Sequence, residues 1–467
     1  MTQMAVRRPG RDARHAGGKA ARHEAPLASH SEFQPTSGRD PVGLLLGQAT
    51  SRVPELVPVR HGRMLVSPFT YYRGAALPMA ADLAGTPTSG LRVQLCGDAH
   101  LANFGGFASP ERRLVFDVND FDETLPGPFE WDVKRFAASL AVAGRDNGFD
   151  AKQRRKVALA GVKGYRTAMR EFANMPMLDV WYAHLNLDDA LAEVGSQLTK
   201  KRRKRTEEAM AKARTRDSMQ AFSKLTTTVD GRPQIISAPP LIVPVEELVG
   251  DVEADAFYQQ LSQLLDAYER TLSDARRHLV QQFTLIQLAR KVVGVGSVGT
   301  RAWIMLLEAD DGQEPLFLQA KEAQESVLAA YAGPSQYTNQ GERVVAGQHL
   351  MQATSDIFLG WQRTTGMDNI ERDFYIRQLR DWKASADIER MNPRGMEVYA
   401  GLCGWTLARA HARSGDRIAI AAYLGKTDAF DSAVADFAEI YADQNEVDHA
   451  ALAAAVKEGR AQAETGL

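Results

Sequence analysis

The stretch from Lys291 to Lys321 constrains the fold of this chain more than any other part of its sequence. Gly294, Gly296 and Gly299 form a GxGxxG pattern, which occurs in dinucleotide-binding folds, in other phosphate-binding loops and in plain turns. A dinucleotide site requires a helix directly after the glycines. Here TRAWIMLLEA predicts a strand, DDG a tight turn and PLFLQAK a second strand. The pattern therefore favours an antiparallel sheet over a doubly wound fold.

This order of elements resembles the N-lobe of a protein kinase, where strand, glycine loop, strand, turn and a strand ending in lysine follow one another. The resemblance implies that the glycines and Ser297 cover the phosphates of ATP and that Lys321 contacts the α- and β-phosphates. Such a lysine requires a carboxylate to orient it. We expect this partner to be Glu342, which opens the predicted helix GERVVAGQHLMQ, rather than Glu325, which lies close to the end of the strand.

A second informative stretch is QLCGDAHLANFGGF, in which Asp98, His100 and Asn103 follow a predicted strand. Asp98 and Asn103 share neither a helix face nor a strand face, so their oxygens converge only if the chain turns. Kinase catalytic loops separate the proton-accepting aspartate from the Mg²⁺-binding asparagine by the same interval. GDAHLAN more closely resembles the aminoglycoside and choline phosphotransferases, with Cys96 in place of their first histidine. This resemblance implies that Asp98 is the general base, that His100 belongs to the catalytic site and that Asn103 binds metal.

The segment RRLVFDVNDFDET predicts a strand that ends in acidic residues. Asp120 followed by Phe121 resembles the metal-binding DFG segment of kinases, with Asp122 in place of the glycine. Asp117 is the alternative metal ligand, because its distance from Asn103 is nearer the usual kinase interval. Carboxylates crowded at the end of a strand repel one another unless a cation or an arginine joins them, so this cluster favours a metal site over a solvated turn.

Three arginines, Arg60, Arg63 and Arg73, lie among aromatic residues in PVRHGRMLVSPFTYYRGAA. Guanidinium groups bind phosphate, but they also bind the carboxylates of their own fold. We expect these arginines to bind carboxylates of their own fold.

The order of the two sets of motifs is the reverse of that in kinases, because the catalytic-loop pattern precedes the glycine loop along this chain. We therefore expect a circularly permuted, two-lobed, protein-kinase-like α+β fold, with a large helical lobe and a small antiparallel-sheet lobe. MEVYAGLCGWTLARAHARSGD resembles the helix that precedes the catalytic loop in aminoglycoside phosphotransferases. The expected parts are a disordered basic tail (1–38), a helical C-lobe part with the catalytic loop and the DFG-like segment (39–290), an ATP-binding N-lobe-like part (291–383) and a helical return (384–467).

Four blocks of the sequence resemble a bacterial family of uncharacterised proteins, a domain of unknown function. They are RMLVSPFTYYRG, LCGDAHLANFG, VFDVNDFDETLPGPFEWDVKR and FYIRQLRDWK, and the resemblance extends over nearly everything from Asp40 onwards. The family label implies no activity, so the chemistry depends on the kinase-like parts.

The composition of the chain limits the cellular compartments and the classes of partner to be expected. The formal charge of -2 provides no general attraction to nucleic acid or anionic lipid, and the basic run KKRRKR lacks interleaved aromatic residues. The two cysteines fit a reducing cytosol. The sequence contains no run of about 18 apolar residues, so it predicts no membrane span. We expect a cytoplasmic protein that binds neither membrane nor nucleic acid.

The expected function is transfer of phosphate from ATP, with Mg²⁺, to a hydroxyl of an unidentified small molecule. AMP transfer or protein phosphorylation on the same site remains an alternative, because the same metal and base residues serve either reaction. A nucleotide-binding regulator without catalysis is a second alternative. A metal-dependent phosphoesterase is a third, although none of the ten histidines stands in the Asn-His pair that such enzymes use.

Overall fold

A computed structural model of the chain describes residues 9–466, except 195–199, 250–263 and the single positions 293, 311, 313, 367 and 380. This part combines many helices with several antiparallel sheets, which confirms the predicted α+β class. None of its helices is both long enough and apolar enough to cross a membrane.

The helices have the following bounds: α1 Arg11–Glu24, α2 Pro41–Ala49, α3 Val57–Met64, α4 Pro68–Gly74, α5 Ala76–Ala84, α6 Phe129–Asp146, α7 Ala151–Asn174, α8 Met177–Tyr182, α9 Leu187–Val194, α10 Lys200–Arg214, α11 Ser218–Leu225, α12 Val245–Val249, α13 Asp274–Val280, α14 Ala329–Ala332, α15 Gln340–Met351, α16 Pro393–Ser414, α17 Arg417–Leu424 and α18 Ala429–Lys457. The long helices α6, α7, α16 and α18 supply much of the largest apolar cluster.

The strands have the following bounds: β1 Arg92–Leu95, β2 Phe104–Ala108, β3 Leu114–Val118, β4 Leu125–Pro128, β5 Leu185–Asn186, β6 Thr226–Val229, β7 Arg232–Ile235, β8 Ile242–Pro244, β9 Phe283–Lys291, β10 Ala302–Ala309, β11 Pro315–Ala323, β12 Gly360–Thr365, β13 Glu371–Gln378 and β14 Ala384–Ser385.

The largest sheet has six antiparallel strands in the order β12-β13-β11-β10-β9-β8. Its β10–β11 hairpin pairs Ala302 with Lys321, which confirms the predicted strand, turn and strand. Apolar clusters lie on both faces of the sheet, so every residue of the central strand β11 is buried. The predicted boundary at residue 291 is wrong for this sheet, because β8 and β9 precede it along the chain and still belong to it.

Two smaller sheets position the segments around Asp98 and Asp120. β1 pairs with β4, and β2 and β3 form a hairpin within the sheet β14-β2-β3-β5. The loop 96–103 joins β1 to β2, while the segment 119–124 joins β3 to β4. Both connect the same two sheets, and the backbone N–H of Asn119 donates to the carbonyl of Asn103 at 2.8 Å. The two connections therefore run side by side.

The predicted disorder of residues 1–38 is wrong for the described part of that segment. Helix α1 packs against α17, and Arg14 forms an ion pair with Asp416 at 2.7 Å. His30 is fully buried, with its Nε2 atom 2.5 Å from the hydroxyl of Tyr423. Composition indicated a solvated tail, but scattered small and apolar residues provide one face that docks against the C-terminal helices.

Helices α7 and α16 approach closely because glycines lie where they meet. A Cβ atom on Gly404 would stand 2.1 Å from the carbonyl oxygen of Gly161. A Cβ atom on Gly401, one turn earlier in the same helix, would meet nothing within 4 Å. The first position therefore requires glycine for packing, whereas the second does not.

Gly404→Ala is expected to lower the free energy of unfolding by about 1–3 kcal/mol, because the added methyl group overpacks this contact. Gly401→Ala is the matched control and is expected to be neutral or stabilising by about 0.5–1 kcal/mol, since alanine favours a helix. Urea unfolding followed by circular dichroism measures both values. Equal stabilities of the two variants would contradict the described packing.

Candidate functional site

Three segments that carry sequence motifs contribute to the lining of a single pocket. They are the loop after β1, the segment after β3 and the glycine loop before β10. Their lining residues are Asp98, His100 and Asn103, then Asp120, Asp122 and Glu123, then Gly294, Gly296 and Ser297. The structure therefore brings together most of the residues that the sequence motifs singled out.

Contacts with its backbone hold the loop after β1 in place. Gly97 has a φ of 83°, and a Cβ atom there would stand 2.3 Å from the carbonyl oxygen of Glu123. The carboxylate of Asp132 accepts hydrogen bonds from the backbone N–H groups of Cys96 and Gly97 at 2.8 and 3.0 Å. His411 lies 3.1 Å from the same carboxylate. This buried support determines the direction in which Asp98 points.

Asp98 carries the charge at the centre of that loop. Its carboxylate accepts a hydrogen bond from Nε of Arg135 at 2.6 Å. Burial raises the pKa of Asp98 above its ordinary value, although Arg135 opposes this shift. Burial and the positive charges of Arg73 and Arg135 hold the pKa of His100 well below its usual value, so this imidazole is neutral. A carboxylate of raised basicity beside a neutral imidazole is suited to accept a proton.

Asn103 is oriented by its own loop. Its Nδ2 atom donates to the backbone carbonyl of Asp98 at 2.7 Å. This bond occupies the donor end of the amide, so the oxygen Oδ1 is the end available to a cation.

The acidic segment after β3 meets Lys321 of β11. Nζ of Lys321 lies 2.7 Å from Oδ2 of Asp122, and the hydroxyl of Tyr375 donates to Oδ1 of the same carboxylate at 2.5 Å. Burial disfavours the ammonium, but the charges of Asp120 and Asp122 outweigh it and raise the pKa of Lys321. Burial and the charge of Asp122 raise the pKa of Asp120. The charged form of Asp120 is therefore disfavoured by burial and by the neighbouring carboxylate of Asp122.

The predicted ion pair of Lys321 with Glu342 is wrong in the described part of the chain, where Asp122 is the partner of the lysine. Glu342 lies in the first turn of α15, capped by Asn339. The next residue, Arg343, points inward and donates to the carbonyls of Thr124 and Asp122 at 2.7 and 2.8 Å. Helix α15 thus contributes a cation to the site, since a shift of one residue along a helix turns the side chain by about 100°.

Asp117, the alternative to Asp120 as a metal ligand, lies outside this pocket. It is buried and forms an ion pair with Arg409 of α16. Asp117 belongs to β3 itself, and Asp120 follows the end of the strand. The two carboxylates therefore have different surroundings, and Asp120 is the one that shares the pocket with Asp98.

The glycine loop lies against the segment 52–74. Gly294 and Gly299 have φ values of 69° and 91°, which favour glycine. The carbonyl of Gly294 accepts a hydrogen bond from Arg63 at 2.6 Å. Val295 and Val298 are buried among apolar residues of the N-terminal helices. The loop is consequently anchored on both sides of Gly296 and Ser297.

Sequence reasoning missed Asp132 and Arg135, which support the loop around Asp98. Both lie in FEWDVKRF, where ionisable residues alternate with apolar ones at the start of α6. Nearly the whole helix is buried. Ionisable residues on every side of a largely apolar helix are the signal that indicates buried polar partners.

The site fits a Mg²⁺ ion that binds together with phosphate. In the described residues no three His, Cys, Asp or Glu side chains form a preassembled metal cluster. Mg²⁺ typically takes one or two carboxylates and completes its shell with water and substrate phosphates. Asp120, Asp122 and Asn103 line the pocket and carry oxygen atoms of the kind that Mg²⁺ takes.

The chain belongs to the DUF2252 family. The family is described as uncharacterised proteins conserved in bacteria, and it matches residues 52–455. That range includes all three segments of the pocket. No curated protein and no solved structure is a significant match to the chain.

Asp117→Asn and Asp120→Asn are expected to affect stability in opposite ways. The first leaves the buried Arg409 without its partner and is expected to cost about 3–5 kcal/mol of unfolding free energy. The second relieves repulsion between Asp120 and Asp122 and is expected to be neutral or stabilising. Thermal and urea unfolding of the two isosteric variants, without added metal, measures the difference. If Asp120→Asn lost more stability than Asp117→Asn, the described environments of the two carboxylates would be wrong.

Proposed function

We propose that this protein transfers the γ-phosphate of ATP, with Mg²⁺, to a hydroxyl group of a small molecule. The observation that carries the proposal is the convergence of the glycine loop, the Asp98 loop and the acidic segment on one pocket. Neither half of the chain contains all three. Their convergence despite the reversed order supports a circularly permuted, two-lobed kinase-like arrangement.

The nucleotide would be held mainly by backbone groups and by Lys321. Glycines allow a backbone to approach phosphates closely, and Ser297 adds a hydroxyl at the pocket wall. The ammonium of Lys321 is charged and buried beside Asp122. It would contact the phosphates from the sheet side, as the strand–loop–strand order suggests.

Asn103, Asp120 and Asp122 would hold the metal ion. When bound, Mg²⁺ neutralises charge on the transferring phosphate and aligns it. The ion pair with Lys321 and the hydrogen bond from Tyr375 would orient the Asp122 carboxylate for this role. Asp120 would regain the charged form that burial and its neighbour disfavour.

Asp98 would act as the general base. Its carboxylate accepts the proton of the acceptor hydroxyl, whose oxygen forms a bond to the γ-phosphorus while the bond to the β–γ bridging oxygen breaks and ADP leaves. Arg135 retains the orientation of Asp98 throughout. The neutral His100 lies 3.7 Å from the carboxylate.

Saturating Mg²⁺-ATP is expected to stabilise the protein, by about 2.7 kcal/mol at one hundred times the dissociation constant. Lys321→Met is expected to reduce this ligand-induced shift in melting temperature, because it removes the buried phosphate contact. Lys156→Met, an exposed position on α7, is the control. The proposal fails if neither differential scanning fluorimetry nor calorimetry detects nucleotide binding by the wild type.

Asp98→Asn is expected to keep Mg²⁺-ATP affinity within a few fold and to lower turnover by about 10²–10⁴. Asp120→Asn is expected to lose metal-dependent affinity as well, because it removes a metal ligand. Asp274→Asn, with a side chain that is 97% exposed, is the matched control. Release of ADP, measured across a set of candidate hydroxyl acceptors, is the readout.

Three outcomes would change this assignment. Normal turnover by Asp98→Asn would exclude the general-base role. Release of pyrophosphate in place of ADP would identify AMP transfer on the same site. Nucleotide binding with no product from any acceptor would favour the regulatory alternative.

A further inference from the structure

Three arginines line the same pocket and have no acidic partner within ion-pair distance in the described part of the chain. They are Arg52, Arg60 and Arg73, and we refer to them as the arginine cluster. Arg52 and Arg60 are only 6% and 1% exposed. The Nε atoms of all three, and Nη1 of Arg60, are buried without a hydrogen-bond partner.

Several buried arginines of the protein form ion pairs, whereas Arg343 and Arg417 donate only to neutral acceptors among the described residues. Arg135 pairs with Asp98, Arg166 with Asp431 and Arg409 with Asp117. Burial lowers the pKa of Arg52 to about 10 and holds that of Arg60 well below its ordinary value. An uncompensated buried charge is costly. The arginine cluster differs from Arg343 and Arg417 because its side chains line the pocket and leave Nε atoms without a hydrogen-bond partner.

Neutral groups fix the positions of these side chains. Arg60 donates to the carbonyl of Gly74 and to the side-chain oxygen of Gln48, at 2.9 and 2.8 Å. Arg52 donates to the carbonyl of Val298 at 2.5 Å. Neutral acceptors orient the guanidinium groups but leave their positive charge uncancelled. The structure contradicts the expectation that Arg60 and Arg73 pair with carboxylates of the fold.

The arginine cluster adjoins both parts of the site. The backbone oxygen of Arg73 would lie 3.0 Å from a Cβ atom on Gly296, so the glycine loop touches it directly. The charge of Arg73 also acts on Asp98 and His100. Arg52 anchors the far end of the glycine loop through Val298. An anion bound by the cluster would therefore lie within the pocket that contains Asp98.

We propose that the arginine cluster is a subsite for a phosphate group, separate from the metal-binding carboxylates. Guanidinium groups present several donors in a fixed plane, which suits an anion with several charged oxygens. The phosphate belongs either to the bound nucleotide, as its terminal group, or to an acceptor that already carries one. The identity of the ligand, but not the existence of the subsite, rests on the function proposed above.

Inorganic phosphate, without Mg²⁺ or nucleotide, is the first probe. Calorimetry is expected to show binding to the wild type that Arg73→Gln and Arg52→Gln each weaken at least tenfold. Arg73 has no hydrogen bond to the fold among the described residues, so Arg73→Gln is expected to retain the folded state. Arg460→Gln removes an equal charge from an exposed pair with Glu458 and is the control. Absence of phosphate binding, or equal binding by all variants, overturns the proposal.

A Mg²⁺ complex of a non-hydrolysable ATP analogue then identifies the source of the phosphate. Displacement of inorganic phosphate by the analogue assigns the arginine cluster to the terminal phosphate of the nucleotide. Simultaneous binding of both assigns it to a phosphorylated acceptor, and Arg73→Gln then raises KM for that acceptor more than for ATP. If phosphate binds through the cluster and the analogue binds under no condition, the proposed function fails while the subsite stands.

Discussion

The ion pair between Lys321 and Asp122 is the interaction on which the site depends. It joins the central strand of the six-stranded sheet to the segment between β3 and β4. Tyr375 donates to the same carboxylate, and Arg343 donates to backbone carbonyls of the same segment. These partners are remote in sequence and largely buried, so the pocket forms only when the sheet docks against the helical part. Loss of one partner leaves a buried charge uncompensated, which makes the docking specific.

The pocket has an acidic side and a basic side. On the acidic side, Asp98 and Asp122 each have a cationic partner, whereas Asp120 has a neighbour of like charge. On the basic side, the guanidinium groups of Arg52 and Arg60 donate to neutral acceptors alone within the described part of the chain. A cation and a polyanion bound together would satisfy both sides. This complementarity favours a metal–phosphate ligand over a simple ion of either sign.

The local elements were largely predictable, because hydrophobic alternation and turn residues act over short distances. The hairpin β10–β11, the helix α15 and the long helix α16 follow directly from their patterns. The folded N-terminal segment was not predictable from its composition, because its order comes from docking against α17. Within that segment, the buried contact of His30 with Tyr423 joins residues nearly four hundred positions apart.

The sequence by itself determined which residues are candidates for binding phosphate and metal. The patterns that indicate them are the spacing of Asp98 and Asn103, the acids after β3 and the glycines around Ser297. Only the tertiary structure decided which partners they have. It paired Lys321 with Asp122 in place of Glu342, paired Asp117 with Arg409, and gave the arginine cluster no ion pair among the described residues. The physical reason is that charge pairing depends on distances of a few ångströms between side chains, and the folding of distant segments onto one another sets those distances.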